Sequence, residues 1–387
     1  MNEVSVNMKK QIDRAFGLDV CRTLAILLVM SGHTLQHSRP YELLAKMGMV
    51  GMFGVDLFFC LSGFLIGRIL LAESSEWPTD HETGLFQFWY RRWMRTLPLY
   101  FFWLFVSLKY DWRGETTLAA QLPYLLFAQN LAWPMTGFYN LSWSLAVEEW
   151  FYLTFPLVLL FMIGLGAKAR RAAAIGIATF TIVPFLFRAY LPAHMPELKS
   201  FDEGLRHVVV FRLDGIGFGV LMAYFYMWKR AWFDRLADYW WIFAMIVVSC
   251  VAYTKMGYPG LAGSPLLAPL YFTVLALACS LLIPKFNSMR PTRFDVFNRF
   301  IKFTSLVSYS LYLGHIPGFM ISMWILHKLG LFETVYPNPW FTYPLFWGMA
   351  YLVATATYFV IEKPFLKLRD KKSQGAFHPK NTQLSTS

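Results

Sequence analysis

Apolar runs of about 20 residues, the length that crosses the hydrocarbon core of a bilayer as a helix, repeat along the chain and are separated by short polar loops. This pattern predicts an all-α integral membrane protein, a bundle of about ten transmembrane helices. The predicted spans lie near residues 16–36, 48–71, 92–110, 141–164, 172–191, 208–228, 239–256, 264–284, 303–327 and 340–361. A further apolar run at 118–133 is short and contains Pro123, which favours a re-entrant or interfacial segment.

The basic residues of the loops predict how the spans are oriented. Clusters of Lys and Arg lie near residues 9–14, 91–92, 168–171, 229–235 and 285–302 and after 362, whereas the intervening loops hold scattered single charges. Because cytoplasmic loops carry the excess of Lys and Arg, we expect both termini in the cytoplasm. The chain is then divided into a cytoplasmic segment (1–15), one membrane domain (16–365) and a basic, disordered tail (366–387).

Composition agrees with this class of protein. Charged residues make up 15% of the chain and hydrophobic residues 57%, against about 25% charged in a soluble domain. The net charge of +12 does not indicate nucleic-acid binding, because the basic residues lie where they set membrane topology. The four cysteines fall inside apolar runs without metal-like spacing, so neither a disulfide framework nor a metal site is expected.

Several ionisable residues lie inside the predicted spans: Asp19, Arg22, His33, Asp56, Arg95, Glu148, Glu149, Arg212, Asp214 and His315. Each charge at the centre of a membrane helix costs roughly 2.5–3.5 kcal/mol on insertion scales unless it pairs or lines a wet cavity. The sequence therefore predicts a polar site inside the bundle.

Helical phase groups these residues into polar faces. Arg22 and His33 are eleven positions apart, nearly a whole number of turns, so they share a face about 16 Å apart along the axis. Two further polar faces repeat at helical spacing, Ser144, Glu148 and Tyr152 in the fourth span and Ser308, Tyr312 and His315 in the ninth. The span directions put the histidines and Glu148 in the outer half of the membrane and Arg22 and Arg95 near its cytoplasmic side.

Seven sequence blocks in order resemble the acyltransferase-3 family of integral membrane acyltransferases. They are LDVCRTLAILLVMSGH (18–33), GVDLFFCLSGFLIG (54–67), FWYRRWMRTLPLY (88–100), WSLAVEEWFYLTFP (143–156), FRLDGIGFGVLMA (211–223), SYSLYLGHIPG (308–318) and IEKPF (361–365). The first span of that family carries an arginine, ten residues and then a histidine, which Arg22 and His33 match. The resemblance covers nearly the whole chain.

The resemblance implies a membrane O-acyltransferase. Members move an acyl group, usually acetyl, from acyl-coenzyme A to a hydroxyl, often on an envelope carbohydrate. We therefore expect a multi-pass protein of the bacterial inner membrane with an acyl-coenzyme A donor and a carbohydrate acceptor, such as lipopolysaccharide O antigen or an exopolysaccharide. Loops 109–140 and 192–207 are the candidates for acceptor recognition. Direct transfer and an acyl-enzyme are both compatible with the resemblance.

Chemistry assigns candidate catalytic roles. A hydroxyl needs a base beside the reacting carbonyl, and histidine, whose pKa is about 6.5, suits this task. We expect His33 to be the base and Glu148 to orient its ring; the alternative is a buried neutral histidine that serves packing. Glu149 points about 100° away from Glu148, which favours a structural role for it.

Four arginines are candidates for donor binding, because guanidinium groups match phosphate oxygens: Arg22, Arg91, Arg92 and Arg95. For Arg91 and Arg92, anchoring at the cytoplasmic face is an equal alternative. The substrate-binding candidates are Tyr152, Arg212, Tyr312 and His315. A structural network is an equal alternative for Arg212 with Asp214, and a structural role for His315.

A proton-coupled transporter is the competing class, because intramembrane His and Glu residues also form proton relays. Transporters commonly show two related halves with broken helices in corresponding positions, and the sequence has no such symmetry. The enzyme hypothesis is therefore favoured.

Overall fold

The computed structural model describes residues 15–36, 51–74, 77–109, 117–135, 138–195, 198, 200–255, 266–336 and 338–375. These residues form helices and turns, with no strand among them. Each of the ten predicted spans falls on a helix. The all-α prediction is therefore confirmed over the described ranges.

The described residues form fifteen α-helices, numbered in chain order. They are α1 (Phe16–Gln36), α2 (Gly51–Glu73), α3 (Trp77–Lys109), α4 (Leu118–Leu125), α5 (Ser142–Gly164), α6 (Ala169–His194), α7 (Leu213–Trp228), α8 (Arg230–Asp238), α9 (Trp240–Lys255), α10 (Leu267–Leu281), α11 (Ile283–Ser288), α12 (Asp295–Lys328), α13 (Phe332–Val335), α14 (Pro339–Thr357) and α15 (Lys363–Gly375). A π-helical turn, Tyr358–Glu362, joins α14 to α15.

Length and apolar composition make six segments of the described chain candidate membrane spans. They are α1, α2, α5, α6, α10 with α11, and α14 with α15. The helices α3 and α12 have 33 and 34 residues, and at 1.5 Å per residue each is about 50 Å long. The chain is a multi-pass membrane protein, and the total of ten crossings and the cytoplasmic termini stay predictions.

The run at 118–133 does not form a spanning helix. Its helix, α4, has eight residues, and the Thr117 side chain caps it by accepting a hydrogen bond from the backbone of Ala120. After α4 the backbone of Phe127 takes a positive φ of 55°, and its carbonyl accepts a hydrogen bond from the Trp150 indole. The chain turns here and is tied to α5, as a short re-entrant or interfacial segment requires.

The helices α2 and α7 pack in close contact at facing glycines. A Cβ on Gly63 would lie 2.0 Å from the carbonyl oxygen of Ile216, and a Cβ on Gly219 would lie 2.2 Å from that of Cys60. Small residues let membrane helices approach to backbone contact, where dispersion forces and not the hydrophobic effect hold them together. This contact holds α2 in the centre of the bundle, where it also packs against α1.

Two buried ion pairs tie α7 to its neighbours. Arg212, just before α7, pairs with Asp56 of α2, and Asp214 pairs with Arg188 of α6 at 2.6 Å. All four side chains are at most 2% exposed. The structure thus places Arg212 in a structural network, the alternative to the substrate-binding role predicted for it.

Residues 366–375, expected from the sequence to belong to a disordered tail, are helical in the structure. The helix α15 continues from Lys363 to Gly375 and packs against α3. A basic sequence was expected to be disordered because it cannot bury enough apolar surface by itself. The contact with α3 gives the helix a surface against which to bury its apolar side. The remainder of the tail, like the N-terminal segment up to residue 14, lies outside the described residues.

Candidate active site

A cavity of about 390 Å³ lies among α2, α3, α5 and α12. Its α2 wall consists largely of Val55, Phe58, Ser62, Ile66, Ile69 and Glu73. These positions differ by three or four residues, the spacing of one helix face, and they span about 27 Å at 1.5 Å per residue. The cavity is therefore elongated along the axis of α2.

Arginines dominate one part of the cavity wall. Six of them line it, namely Arg22, Arg68, Arg91, Arg92, Arg95 and Arg369. The carboxylates that line it are Glu73 and Glu148, so the cationic groups exceed the acidic ones by four. Such a site attracts a polyanion, because guanidinium groups bind phosphate oxygens in a forked geometry.

The predicted donor arginines are all brought together here. Arg91, Arg92 and Arg95 come from the middle of α3, and Arg22 reaches the cavity from α1. The α3 wall is fixed on both sides, since the Trp89 indole donates to the carbonyl of Tyr152 at 2.9 Å and the Tyr309 hydroxyl to that of Thr96 at 2.7 Å. These hydrogen bonds hold the arginines of α3 at defined positions.

Glu148 forms a polar cluster with Arg92 and Tyr152. One carboxylate oxygen accepts from Arg92 Nη2 at 2.6 Å and from the Tyr152 hydroxyl at 3.0 Å. Arg92 also donates to that hydroxyl at 2.7 Å and lies 4.1 Å above the tyrosine ring, and Ser62 completes the cluster by a hydrogen bond to Tyr152. The expected contact between Glu148 and the ring of His33 is not formed, because the hydrogen bonds of the carboxylate go to Arg92 and Tyr152.

The neighbouring carboxylate, Glu149, lies on another side of α5. Its side chain is buried and accepts a hydrogen bond from Thr96 at 2.9 Å, and it is not among the residues that line the cavity. The prediction from helical phase that only one of the two glutamates faces the site is confirmed.

Aromatic side chains line the part of the cavity away from Glu73. Phe58 and Tyr312 lie there, close to Val55, with ring centroids 6.3 Å apart and an edge-to-face angle of 76°. The Tyr312 hydroxyl is hydrogen-bonded to Ser144 at 2.6 Å and donates to the carbonyl of Leu141 at 3.2 Å. Of the predicted substrate-binding residues, Tyr312 lines the cavity, whereas Tyr152 lies behind Glu148.

Two histidines form a pair beyond Tyr312. The rings of His33 and His315 are 5.1 Å apart between centroids, and the ring of His315 is 6.4 Å from that of Tyr312. Neither histidine is among the cavity-lining residues. The sequence predicted both as site residues, but it did not predict that they would be in contact with each other.

The hydrogen bonds of His315 fix its tautomer. Its Nδ1 lies 3.0 Å from the carbonyl of Leu311 and 2.9 Å from that of Tyr312. A carbonyl oxygen only accepts, so Nδ1 carries the proton and Nε2 has the free lone pair. That Nε2 is buried and has no hydrogen-bond partner among the described residues.

The polar face of α1 packs along α12. Near one end, Arg22 donates to Ser305 at 3.1 Å and Ser305 donates to Asp19 at 2.6 Å; near the other end, His33 lies against His315. The expectation that Arg22 and His33 share one face is confirmed, and α12 is the helix that covers this face.

The two loops predicted to recognise an acceptor also meet. The backbone amide of Val209 donates to the carbonyl of Asn130 at 2.8 Å, and the Asn130 side chain donates to the carbonyl of His207. The ring of His207 lies 4.6 Å from that of Trp143, which adjoins Ser144 of the cavity wall. The loops therefore lie next to the part of the cavity wall that holds Ser144 and Tyr312.

Sequence reasoning missed several residues of the cavity. Arg68, Glu73 and Phe58 come from α2, and Arg369 comes from α15. The face of α2 that lines the cavity is mostly apolar, with Ser62, Arg68 and Glu73 as its polar residues, so no polar periodicity marked it in the sequence. Nothing in the sequence indicated that Arg369 would reach the site.

The fold and this cavity define a multi-pass helical membrane protein with a cationic site inside its bundle. The acyltransferase-3 family, described as an acyltransferase domain, matches residues 16–361. The chain belongs to this family.

Relatives of known name support the assignment. The chain is 26% identical over 386 residues to the putative peptidoglycan O-acetyltransferase YrhL of Bacillus subtilis, covering 90% of this chain and 54% of that protein. It is 31% identical over 162 residues to the O-acetyltransferase OatA of Staphylococcus aureus, covering 38% and 25%. Against the peptidoglycan O-acetyltransferase OatA of Listeria monocytogenes the identity is 30% over 167 residues, covering 37% and 24%. The chain thus spans about half the length of YrhL, and no solved structure matches it.

Proposed function

We propose that this protein transfers an acyl group, acetyl in the first instance, from acyl-coenzyme A to a hydroxyl of an envelope carbohydrate at the bacterial inner membrane. The observation that supports this most directly is the elongated cavity, with arginines along one part and a pair of histidines just beyond Tyr312. Family membership and the O-acetyltransferase relatives favour acyl transfer over transport.

The donor would lie along α2. Coenzyme A carries its phosphates at one end and its thioester at the other, separated by a flexible arm. Its phosphates would bind the arginines of α3 with Arg22 and Arg369, all of which line the cavity. The apolar stretch with Leu65 and Ile66 would hold the arm, and the thioester would reach the end at Phe58 and Tyr312.

In the proposed reaction, the acceptor hydroxyl oxygen attacks the thioester carbonyl carbon while His33 takes the hydroxyl proton. The carbon–sulfur bond then breaks, the sulfur leaves with the electron pair and takes up a proton to form the coenzyme A thiol, and the acceptor leaves as an ester. The ring of His315 packs against that of His33, with the ring centroids 5.1 Å apart. It would hold that ring in position for the transfer.

Glu148 has a different role in this proposal from the one expected. Its ion pair with Arg92 at 2.6 Å and its bond from Tyr152 make it a positioning residue for the donor arginines. The carboxylate fixes the guanidinium, and the remaining donors of that group stay directed to a phosphate.

The acceptor would approach from the outer side, where the loops around Asn130 and His207 meet. Relatives named as peptidoglycan O-acetyltransferases make peptidoglycan one candidate acceptor, beside the O antigen and exopolysaccharide expected from the sequence. All three offer sugar hydroxyls.

Membrane vesicles supplied with acetyl-coenzyme A labelled in the acetyl group test this function. Ester-linked label should appear in one envelope glycan fraction, identified by mass spectrometry of peptidoglycan, lipopolysaccharide and exopolysaccharide. Arg92→Ala should reduce incorporation strongly, whereas Arg290→Ala should not, because it makes the same change at an exposed arginine outside the cavity. Equal incorporation by the wild type and Arg92→Ala would contradict the donor site, and vesicles without labelled ester would contradict the activity.

A further inference from the structure

Phe58 and Tyr312 line the part of the cavity that lies away from Glu73. Phe58 of α2 is half-buried and lines the cavity, and its ring meets that of Tyr312 edge to face at 6.3 Å. The two rings come from helices far apart in the sequence. Together they line the cavity wall on the side of the histidine pair.

Tyr312 is held rigidly in this position. Its single hydroxyl proton is donated to the carbonyl of Leu141 at 3.2 Å, so the oxygen accepts from Ser144 at 2.6 Å. Its side chain is 6% exposed, and its ring lies 6.4 Å from that of His315. A ring fixed by two hydrogen bonds and by burial does not move aside without breaking them.

Phe58 is the residue of this wall whose size can change without breaking a hydrogen bond. Its side chain has no polar atom, and van der Waals contact alone fixes its position. Removing the ring would extend the cavity at its apolar end without touching the arginines or the Tyr312 hydrogen bonds. The size of residue 58 therefore sets how much space remains beyond the thioester.

We infer that Phe58, backed by Tyr312, limits the length of the acyl group that the enzyme transfers, so that short linear acyl groups fit and longer ones do not. This rests on the proposed function, since it takes the donor to lie along α2 with its phosphates at the arginines. Each methylene that a hydrophobic pocket accepts or rejects changes selectivity by roughly 10- to 200-fold. A phenyl ring occupies the space of several methylenes.

Acyl-coenzyme A donors of two, four and six carbons test the limit, with kcat/KM measured for each on purified protein in nanodiscs. Phe58→Ala should raise the ratio of six-carbon to two-carbon kcat/KM at least tenfold, and Phe58→Leu should raise it less. The control is Phe105→Ala, the same deletion on α3 at a ring that is 59% exposed, which should keep the wild-type ratio.

A ratio for Phe58→Ala within twofold of the wild type would overturn the proposal, as would an equal change in Phe105→Ala. Phe58→Leu keeps most of the packing volume. If the alanine variant does not fold, the kcat/KM ratio of the leucine variant decides the test. A readout in cells separates this proposal from the donor assignment, because mass spectrometry of envelope glycans gives the acyl length whatever the donor is. Longer acyl esters in Phe58→Ala cells support the length limit even if coenzyme A is not the donor, and unchanged esters contradict it.

Discussion

The guanidinium of Arg92 and the carboxylate of Glu148 meet at 2.6 Å across the wall of the cavity, between α3 and α5. Both side chains are about one-sixth exposed, at 16% and 14%, so the pair is partly shielded from solvent. A shielded ion pair fixes an arginine more firmly than an exposed one, since water competes less for the charges.

Glu148→Gln should weaken acetyl-coenzyme A binding, because the neutral amide holds Arg92 less firmly. A hydrogen bond to a charged group contributes about 1.5–3 kcal/mol, so we expect the Kd to rise roughly 10- to 100-fold. Glu149→Gln is the matched control: it makes the same change one residue on, outside the cavity lining, and glutamine keeps the bond from Thr96. Equal affinities in both variants, measured by calorimetry in nanodiscs, would contradict the positioning role.

His33→Ala should abolish transfer and leave donor binding nearly intact. Loss of a general base costs about 10²- to 10⁴-fold in rate, while the arginines of the cavity are untouched. The measurements are single-turnover transfer of labelled acetyl and donor affinity in the same preparation. Near-normal transfer by a well-expressed variant would refute the mechanism, and loss of the protein from the membrane would favour a packing role for His33.

Arg22→Ala and Arg95→Ala should each lower donor affinity, because both side chains line the cavity. Lysine at either position should restore affinity only in part, since it keeps the charge but loses the forked geometry that matches a phosphate. Equilibrium binding of acetyl-coenzyme A measures both effects. Unchanged affinity together with lost activity would show that these arginines serve the reaction or the fold instead.

Arg212→Ala should lower stability. It leaves Asp56 without its partner in a site where both side chains are at most 2% exposed, and breaking such a pair costs about 3–5 kcal/mol. Thermal unfolding in detergent and membrane abundance report the loss. Arg230→Ala is the control, because its pair with Asp234 is more than half exposed and is expected to change stability little. A stable Arg212→Ala protein with altered transfer would instead support the substrate-binding role.

Reporter fusions test the orientation of the spans. Fusions after residues 168 and 230 and at the C-terminus should be cytoplasmic, and fusions near 40, 200 and 333 external, because the loop charges alternate in that sense. Paired reporters, one active in the cytoplasm and one outside it, make every fusion its own control. An external C-terminus would refute the even number of crossings.

Local periodicity was enough to predict the helices and their polar faces. Arg22 and His33 share a face of α1, and Glu148 and Glu149 lie on different sides of α5, because 3.6 residues per turn fix both relations within one helix. The predictions that failed or were missing concern contacts between helices. Glu148 meets Arg92 and not His33, since the packing of α3 against α5 decides its partner, and Arg369 reaches the cavity because α15 packs against α3.

The contact of Arg22 with Ser305 joins residues that are 283 positions apart in the chain. Ribosomes add about 5–20 residues per second. Roughly 15–60 s therefore pass between the synthesis of α1 and that of α12, which covers the face carrying Arg22 and His33. During this interval the nascent chain has the arginine of its first helix but no completed pocket. Assembly is therefore a late event in biosynthesis, and a chain that stalls before α12 would lack the cover on the polar face of its first helix.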